Sequence, residues 1–417
     1  MQAPVVPSPG TCTQEESDPM HLHWLKPLLG RPGPFVTVHL DASPAEVAGE
    51  SGPVDRWRSV RRDLERDGAP QALLDELSDR IAQPDGRRDA HGRALIADAD
   101  GVVVDRVLLE APATSSGSYG PVPALGPVVR ASEESVRLLV VAVDRTGADL
   151  RWAEGDDGEY RGPVSETVDG GHDDVHKVRE SGLERRGQTR AEDSWQRNAE
   201  AVAAALDSRV RDRRPDLVVL TGDVRMVPLV RDALGQHARE LTVEVPGGGR
   251  GDGIHEAAFR ARVAEAVGER RARRRAAHVE GYREALGRGE GAVTGLDDVV
   301  EVLRRGQVDE LIVDGSGPDG GFAERTLWVG PGVLQVAVSR SDLTSIGVMD
   351  GDAREMPAEV AVMRAVVGQD AGVTFVEDGD VELVDGIGAT LRWADESTPS
   401  EAVPSQSDDL RRLRTVL

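Results

Sequence analysis

Apolar residues return at helical spacing in some stretches of the chain and run together or alternate in others, and that contrast predicts its elements. Trp195, Ala199, Val202, Leu206 and Val210 form one stripe, which predicts a helix over 189–210. Trp57, Val60 and Leu64 mark the buried face of a charged helix over 54–67, and 71–81 continues in helix. Further helices are expected at 21–29, 224–234, 254–286, 296–304 and 356–367. Short apolar runs between turn residues predict strands at 35–40, 137–143, 217–220, 241–245 and 310–314. Residues 94–98 and 102–109 read as a hairpin, and 137–143 finds its mate in 148–152 across Arg145-Thr146-Gly147. Weaker strand patterns fall at 164–168, 326–329, 372–376 and 389–393. Strands feeding helices predict an α/β (mixed α+β) class.

Breaks in this pattern suggest three domains. Residues 1–20, rich in Pro, Ser and Glu, are expected to be disordered. An N-terminal α+β domain takes 21–128 and ends in a Gly/Ser/Pro linker at 112–127. A middle α/β domain takes 129–246 and carries an exposed basic loop over 170–190. The Gly-rich run 247–253 reads as a flexible linker, a C-terminal α/β domain takes 254–395, and 396–417 is a polar tail.

Charge singles out one of these segments. The chain carries a formal net charge of −24, yet Lys177, Arg179, Arg185, Arg186 and Arg190 outnumber Glu180 and Glu184 in a stretch of local charge +3. Thr189 and Glu192 have the spacing of a capping box, which mounts Arg185-Arg186-Gly187-Gln188 as a loop tip before a helix N-terminus. Free N–H groups there suit a phosphate-bearing partner. A second cluster, Arg270, Arg271, Arg273, Arg274 and Arg275, lies on the long helix and reads either as a solvated, salt-bridged face, with Glu269 placed to pair with Arg273, or as a second contact for RNA phosphates. Only two of the 50 basic residues are lysine, Lys26 and Lys177, so arginine abundance is itself a weak signal.

Other chemistry finds little support. The lone Cys12 excludes an internal disulfide and a cysteine-ligated zinc site. His172 and His176 stand four apart but lack the His-Glu-x-x-His pattern, so no metal site is expected. The Gly-rich run lacks the acidic strand end and the Gly-Lys-Ser/Thr ending of nucleotide loops, and no cofactor is expected. No serine sits in a nucleophile elbow. No apolar run has the length of a membrane span or signal peptide, so the expected location is the cytoplasm, as a monomer without membrane contact. Arg-Arg-Gly-Gln recurs at 304–307, where Gly306 reads as an ordinary helix stop.

The order of these parts resembles the archaeo-eukaryotic peptide chain release factor and its bacterial relatives. There the middle domain carries a Gly-Gly-Gln loop directly before a long helix, and Arg186-Gly187-Gln188 occupies that place here. Residues 297–314 are similar to the third domain of the family. Residues 33–41, 91–97, 141–149 and 386–393 resemble its actinobacterial branch, which includes ribosome hibernation factors, and the likeness spans about 20–395. It implies a three-domain, release-factor-like fold whose C-terminal α/β sandwich resembles small ribosomal-protein-like domains.

The likeness also implies a partner. A hibernation factor would occupy the vacant acceptor site of the bacterial ribosome. Arg185, Arg186 and Gln188 would reach ribosomal RNA at the peptidyl-transferase centre, with Lys177, Arg179 and Arg190 on phosphates and delivery by elongation factor Tu. A release factor or peptidyl-tRNA hydrolase would instead use Gly187 and Gln188 to position water. Arg186, where the family has its first glycine, restricts the backbone and argues against hydrolysis. An acidic adaptor without an RNA partner is the third reading.

Overall fold

The computed structural model describes residues 22–399 apart from 23–24, 46–51, 84–90, 109–110, 113, 155–165, 170–183, 251–255, 316–320, 323 and 378. Its contacts divide the chain into two compact units. One runs from Pro32 to Glu284; the other joins the residues up to Arg31 with those from Ala285 onward.

After helix α1 (Lys26–Leu29), the Pro32–Glu284 unit opens with β1 (Phe35–Asp41), α2 (Pro53–Arg66), α3 (Gln71–Ala82), β2 (Gly92–Asp98), β3 (Gly101–Leu108) and β4 (Ser116–Gly120). The strands form an antiparallel sheet in the order β3-β2-β1-β4. Val36, Val38 and Leu40 turn one face of β1 toward Trp57, Val60 and Leu64 of α2 and Leu74 and Leu77 of α3. The helical stripe on 54–67 is therefore the core face, as its spacing predicts.

β4 overturns the expectation of a linker at 112–127. Its sequence, Ser-Gly-Ser-Tyr-Gly, has no apolar alternation to betray a strand. It pairs with β1 because α2 crosses it closely: a Cβ on Gly117 would lie 2.7 Å from Val60 Cγ1. Only glycine lets the helix approach, so the residue that hides the strand from pattern reading is the one that permits it.

The second sheet of this unit follows α4 (Gly126–Glu134). Its parts are β5 (Arg137–Asp144), β6 (Gly147–Glu154), β7 (Glu166–Asp169), α5 (Glu184–Arg213), β8 (Leu217–Gly222), α6 (Met226–Ala233), α7 (Gln236–Leu241), β9 (Thr242–Glu244) and α8 (Glu256–Arg288). The order is β7-β6-β5-β8-β9, with β5, β8 and β9 parallel and β6 and β7 antiparallel. Leu139, Val141 and Val143 of β5 and Val218 and Leu220 of β8 face Ala199, Val202, Leu206 and Val210 of α5. The alternate residues Leu138, Val140, Leu217 and Val219 face Phe259, Val263 and Val267 of α8. Burial on both faces explains why these strands are continuous apolar runs.

The other unit contains α1, β10 (Ala292–Thr294), α9 (Leu296–Arg304), β11 (Val308–Asp314), β12 (Thr326–Val329), β13 (Val336–Ala337), α10 (Arg340–Ser345), β14 (Arg354–Pro357), α11 (Ala358–Gly368), β15 (Gly372–Val376) and β16 (Ile387–Leu391). One sheet runs β10-β16-β11-β15 and a smaller one β13-β12-β14. α1 packs on α11, with Leu25 and Leu28 buried and Lys26 paired to Asp370. Sequence order alone would leave that helix with the first sheet. Gly306 ends α9 at φ 70°, the expected helix stop, and Gln307 beyond it is fully buried and donates to Thr398 Oγ1 at 2.8 Å. The architecture is mixed α/β, as the sequence predicts.

One buried group makes the Pro32–Glu284 unit acid-sensitive. His39 on β1 is 4% exposed, and its Nε2 has no hydrogen-bond partner among the described residues. Burial pushes its pKa down from 6.5 to about 4. Between those values the unfolded chain takes up a proton that the folded one refuses, so stability falls as pH drops from 6.5 toward 4, by up to about 3 kcal/mol. His39→Leu should flatten this dependence above pH 5 or so, before most carboxylates titrate. Urea midpoints measured across that range for both proteins check it; identical slopes would contradict it.

Candidate nucleic-acid interface

The basic segment does not have the local structure its sequence suggests. α5 begins at Glu184, not at Thr189. Arg185, Arg186, Gly187, Gln188 and Arg190 therefore belong to the first turns of the helix rather than to a loop before it, and Thr189 and Glu192 lie inside it. Apart from Gly187, residues 184–192 contain no strong helix breaker, and one glycine costs about 1 kcal/mol against alanine. The backbone N–H groups of the first turn have no partner within the helix, so the capacity to meet an anion persists with the start moved. Lys177 and Arg179, like His172 and His176, lie outside the described residues.

The carboxyl edge of the parallel strands meets α5 at Trp195 and Asn198. Gly222 closes β8 at φ 125°, and a Cβ there would sit 2.0 Å from the Val143 carbonyl oxygen, so no other residue fits. The chain turns at Asp223, whose side chain accepts the Arg225 backbone N–H at 2.8 Å and lies 3.5 Å from Arg145 Nε. Trp195 of α5 packs against the core below, and the guanidinium carbons of Arg145 and Arg225 lie 5.1 and 5.5 Å from its ring centroid. Asn198, one turn further along, donates to the Arg145 carbonyl at 2.8 Å.

The Gly-rich run closes over the same edge, which overturns its reading as a flexible linker. Gly248 donates its N–H to Thr221 Oγ1 at 3.1 Å, and a Cβ on it would strike Phe259 and Thr221, both at 2.7 Å. Arg250 then reaches back to Asp144 at 2.7 Å, Thr146 at 2.8 Å and Asp149 at 3.0 Å. Partial burial works against the charged form of Asp144, but the Thr146 donors and the Arg250 guanidinium outweigh it and hold its carboxyl below the usual range. Gly248 serves close packing, which sequence alone cannot tell from flexibility. Residues 251–255 lie outside the described set.

The second arginine cluster lies on α8, and α5 and α8 cover opposite faces of the sheet. The structure thus separates the two groups that the sequence offers as RNA contacts. Arg274 is tied to the Glu133 carboxylate at 3.3 Å and to its carbonyl, with both side chains mostly buried. Arg270, Arg271 and Arg275 are half-buried, and only Arg273 is exposed; it lies 4.0 Å from Glu269, the pairing its spacing predicts. Among the described residues no group of His, Cys, Asp and Glu could hold a metal ion. No helix among them is long and apolar enough to cross a membrane.

Arg145, Trp195, Arg225 and Arg250 are absent from the sequence-derived set of contacts. The available signal is positional: all but Trp195 follow strand ends at the carboxyl edge of a parallel sheet, where α/β proteins gather ligands. Arg250→Met should lower stability by about 2 kcal/mol, because it leaves Asp144 and Asp149 without their cation. Urea unfolding with an unchanged m-value would show this, whereas an unchanged midpoint would mean the loop closes without it.

Residues 137–288 match bacterial archaeo-eukaryotic release factor family 2. Uncharacterized protein Rv2629 of Mycobacterium tuberculosis (strain ATCC 25618 / H37Rv) is 29% identical over 382 residues, which cover 89% of this chain and 96% of that protein. Among solved structures, the archaeal translation termination factor aRF1 is similar over 90% of this chain and 98% of its own, at 14% identity and a TM-score of 0.23. Ribosome-bound archaeal Pelota, solved with ABCE1, is similar over 90% of this chain and 93% of its own, at 14% identity and a TM-score of 0.39. The family match begins with the first residue of β5, ends with the last of α8 and encloses every arginine discussed above. Over that segment the chain is similar to bacterial archaeo-eukaryotic release factor family 2.

Proposed function

We propose that this chain is a ribosome-associated hibernation factor that enters the vacant acceptor site and points the amino end of α5 at the peptidyl-transferase centre. One observation carries the reading: the release-factor family match contains the helix whose first turns hold Arg186-Gly187-Gln188. The family match over 137–288 supports the coarser part, a translation-related role on the ribosome. The finer part rests on Arg186. Release factors of the resembling family have glycine there, and an arginine in a helical turn brings a cation where hydrolysis needs a compact, permissive backbone. That combination suits occupancy of an RNA-lined cavity without cleavage. Lys177, Arg179, Arg185 and Arg190 would neutralise phosphates, and elongation factor Tu would be the delivering partner.

The retention of Gly187 and Gln188 favours a second reading, peptide release. The two part in one assay. The wild-type chain should sediment with vacant ribosomes and leave peptidyl-tRNA on stalled ribosomes intact. Arg185→Glu with Arg186→Glu should weaken ribosome binding at least about tenfold and reduce its salt dependence. Gln188→Ala should leave the release rate at background. Release by the wild-type chain that Gln188→Ala abolishes would replace hibernation by hydrolysis. Ribosome binding untouched by the charge reversals would favour an adaptor that does not use this helix end.

A further inference from the structure

We infer that the carboxyl edge of the parallel strands carries a second contact for RNA: a stacking surface made by Trp195, Arg145 and Arg225, which takes an unpaired stretch of nucleotides. The inference rests on the ribosome-binding reading and gives it a site apart from Arg186-Gly187-Gln188. Trp195 is half-buried, with its indole anchored against the core under α5. The guanidinium groups of Arg145 and Arg225 stand 5.1 and 5.5 Å from its centroid, and both arginines are exposed. Planar guanidinium groups beside an indole offer flat surfaces for a base and fixed charges for its phosphates, the combination that single-stranded nucleic acid takes. Val224, between Asp223 and Arg225, is 86% exposed and adds an apolar contact on the same turn.

The carboxylates at this edge are shared out among three arginines. The chain has 74 acidic side chains for 50 basic ones, and most buried or half-buried arginines of the described structure have found a carboxylate or carbonyl. Arg225 has no carboxylate partner among the described residues. Asp223 spends one oxygen on the Arg225 backbone N–H and the other on Arg145, so it positions both residues without neutralising both cations. The three acids at this edge are engaged, Asp144 and Asp149 by Arg250 and Asp223 by Arg145 and the Arg225 backbone, which leaves Arg225 as the guanidinium there without a carboxylate. A merely structural cation–π contact would not require two exposed arginines on one ring. Unpaired nucleotides fit better than duplex, because a splayed base can lie against the guanidinium plane.

The test uses the full chain and two probes, vacant ribosomes and an unstructured oligouridylate, across a salt series. The variants are Arg145→Gln with Arg225→Gln, and Arg145→Lys with Arg225→Lys. The glutamine pair should weaken oligouridylate binding about tenfold and reduce the salt slope by about 1.4, near 0.7 per charge removed. The lysine pair should keep the slope but lose part of the affinity, because it retains charge without a stacking plane. Both should keep the wild-type urea midpoint, since the side chains are exposed. Unchanged oligouridylate binding in the glutamine pair overturns the inference, as does wild-type binding to polyglutamate in place of RNA. If ribosome binding persists in that pair while oligouridylate binding is unchanged, the ribosome reading survives alone. If the wild-type chain ignores ribosomes yet binds oligouridylate through these arginines, the ribosome reading falls and the surface stands.

Discussion

The docking of α5 on the parallel strands is the constraint on which the rest of the candidate interface depends. Ala199, Val202, Leu206 and Val210 meet Leu139, Val141, Val143, Val218 and Leu220, and every one of these side chains is at most 1% exposed. Burying each large aliphatic group contributes about 1.5–3 kcal/mol, so the seat is far stronger than any surface pair. It fixes the direction of a helix that runs from Glu184 to Arg213, and hence the direction of its amino end. The face of β5 and β8 that α5 leaves is sealed by α8, so the strands cannot tilt to release it.

The carboxyl edge of those strands converts this rigidity into a local arrangement of charge. Gly222 allows β8 to turn within contact of the Val143 backbone, and Asp223 then holds the loop. The packed glycine at 248 lets the run after β9 fold down, and Arg250 locks it to Asp144 and Asp149. A region that reads as hinge material is a lid fixed by hydrogen bonds and close packing. On α8 the arginine cluster is dense in sequence, and its Arg274 is drawn inward to Glu133.

A subset of the arginines acts as internal fasteners. Arg93 with Asp105, Arg137 with Asp216, Arg209 with Glu166 and Arg325 with Asp297 each join distant parts of the chain. Exposed pairs of this kind contribute little alone, but half-buried bidentate ones such as Arg93–Asp105, at 2.7 and 2.9 Å, add geometric definition. The positions of the remaining arginines therefore carry more information than their number.

The local parts of this picture were legible in the amino-acid order. Helical stripes on 54–67 and 195–210, apolar runs at 137–143 and 217–220 and the glycine stop at 306 depend on side-chain spacing and backbone freedom, which neighbours in sequence decide. Pairings between distant residues were not legible. β4 is a strand because α2 approaches Gly117, the run after β9 is a lid because Thr221 and Phe259 receive Gly248, and α1 belongs with α11 through Leu28 and Asp370. The amino end of α5 lay between these cases: its residues favour helix from Glu184, but a capping pattern at Thr189 offered an equally local alternative. Spacing along the chain determined which faces are apolar. Close approach across the fold decided which glycines are packed, which arginines are spent, and which pair remains turned outward beside Trp195.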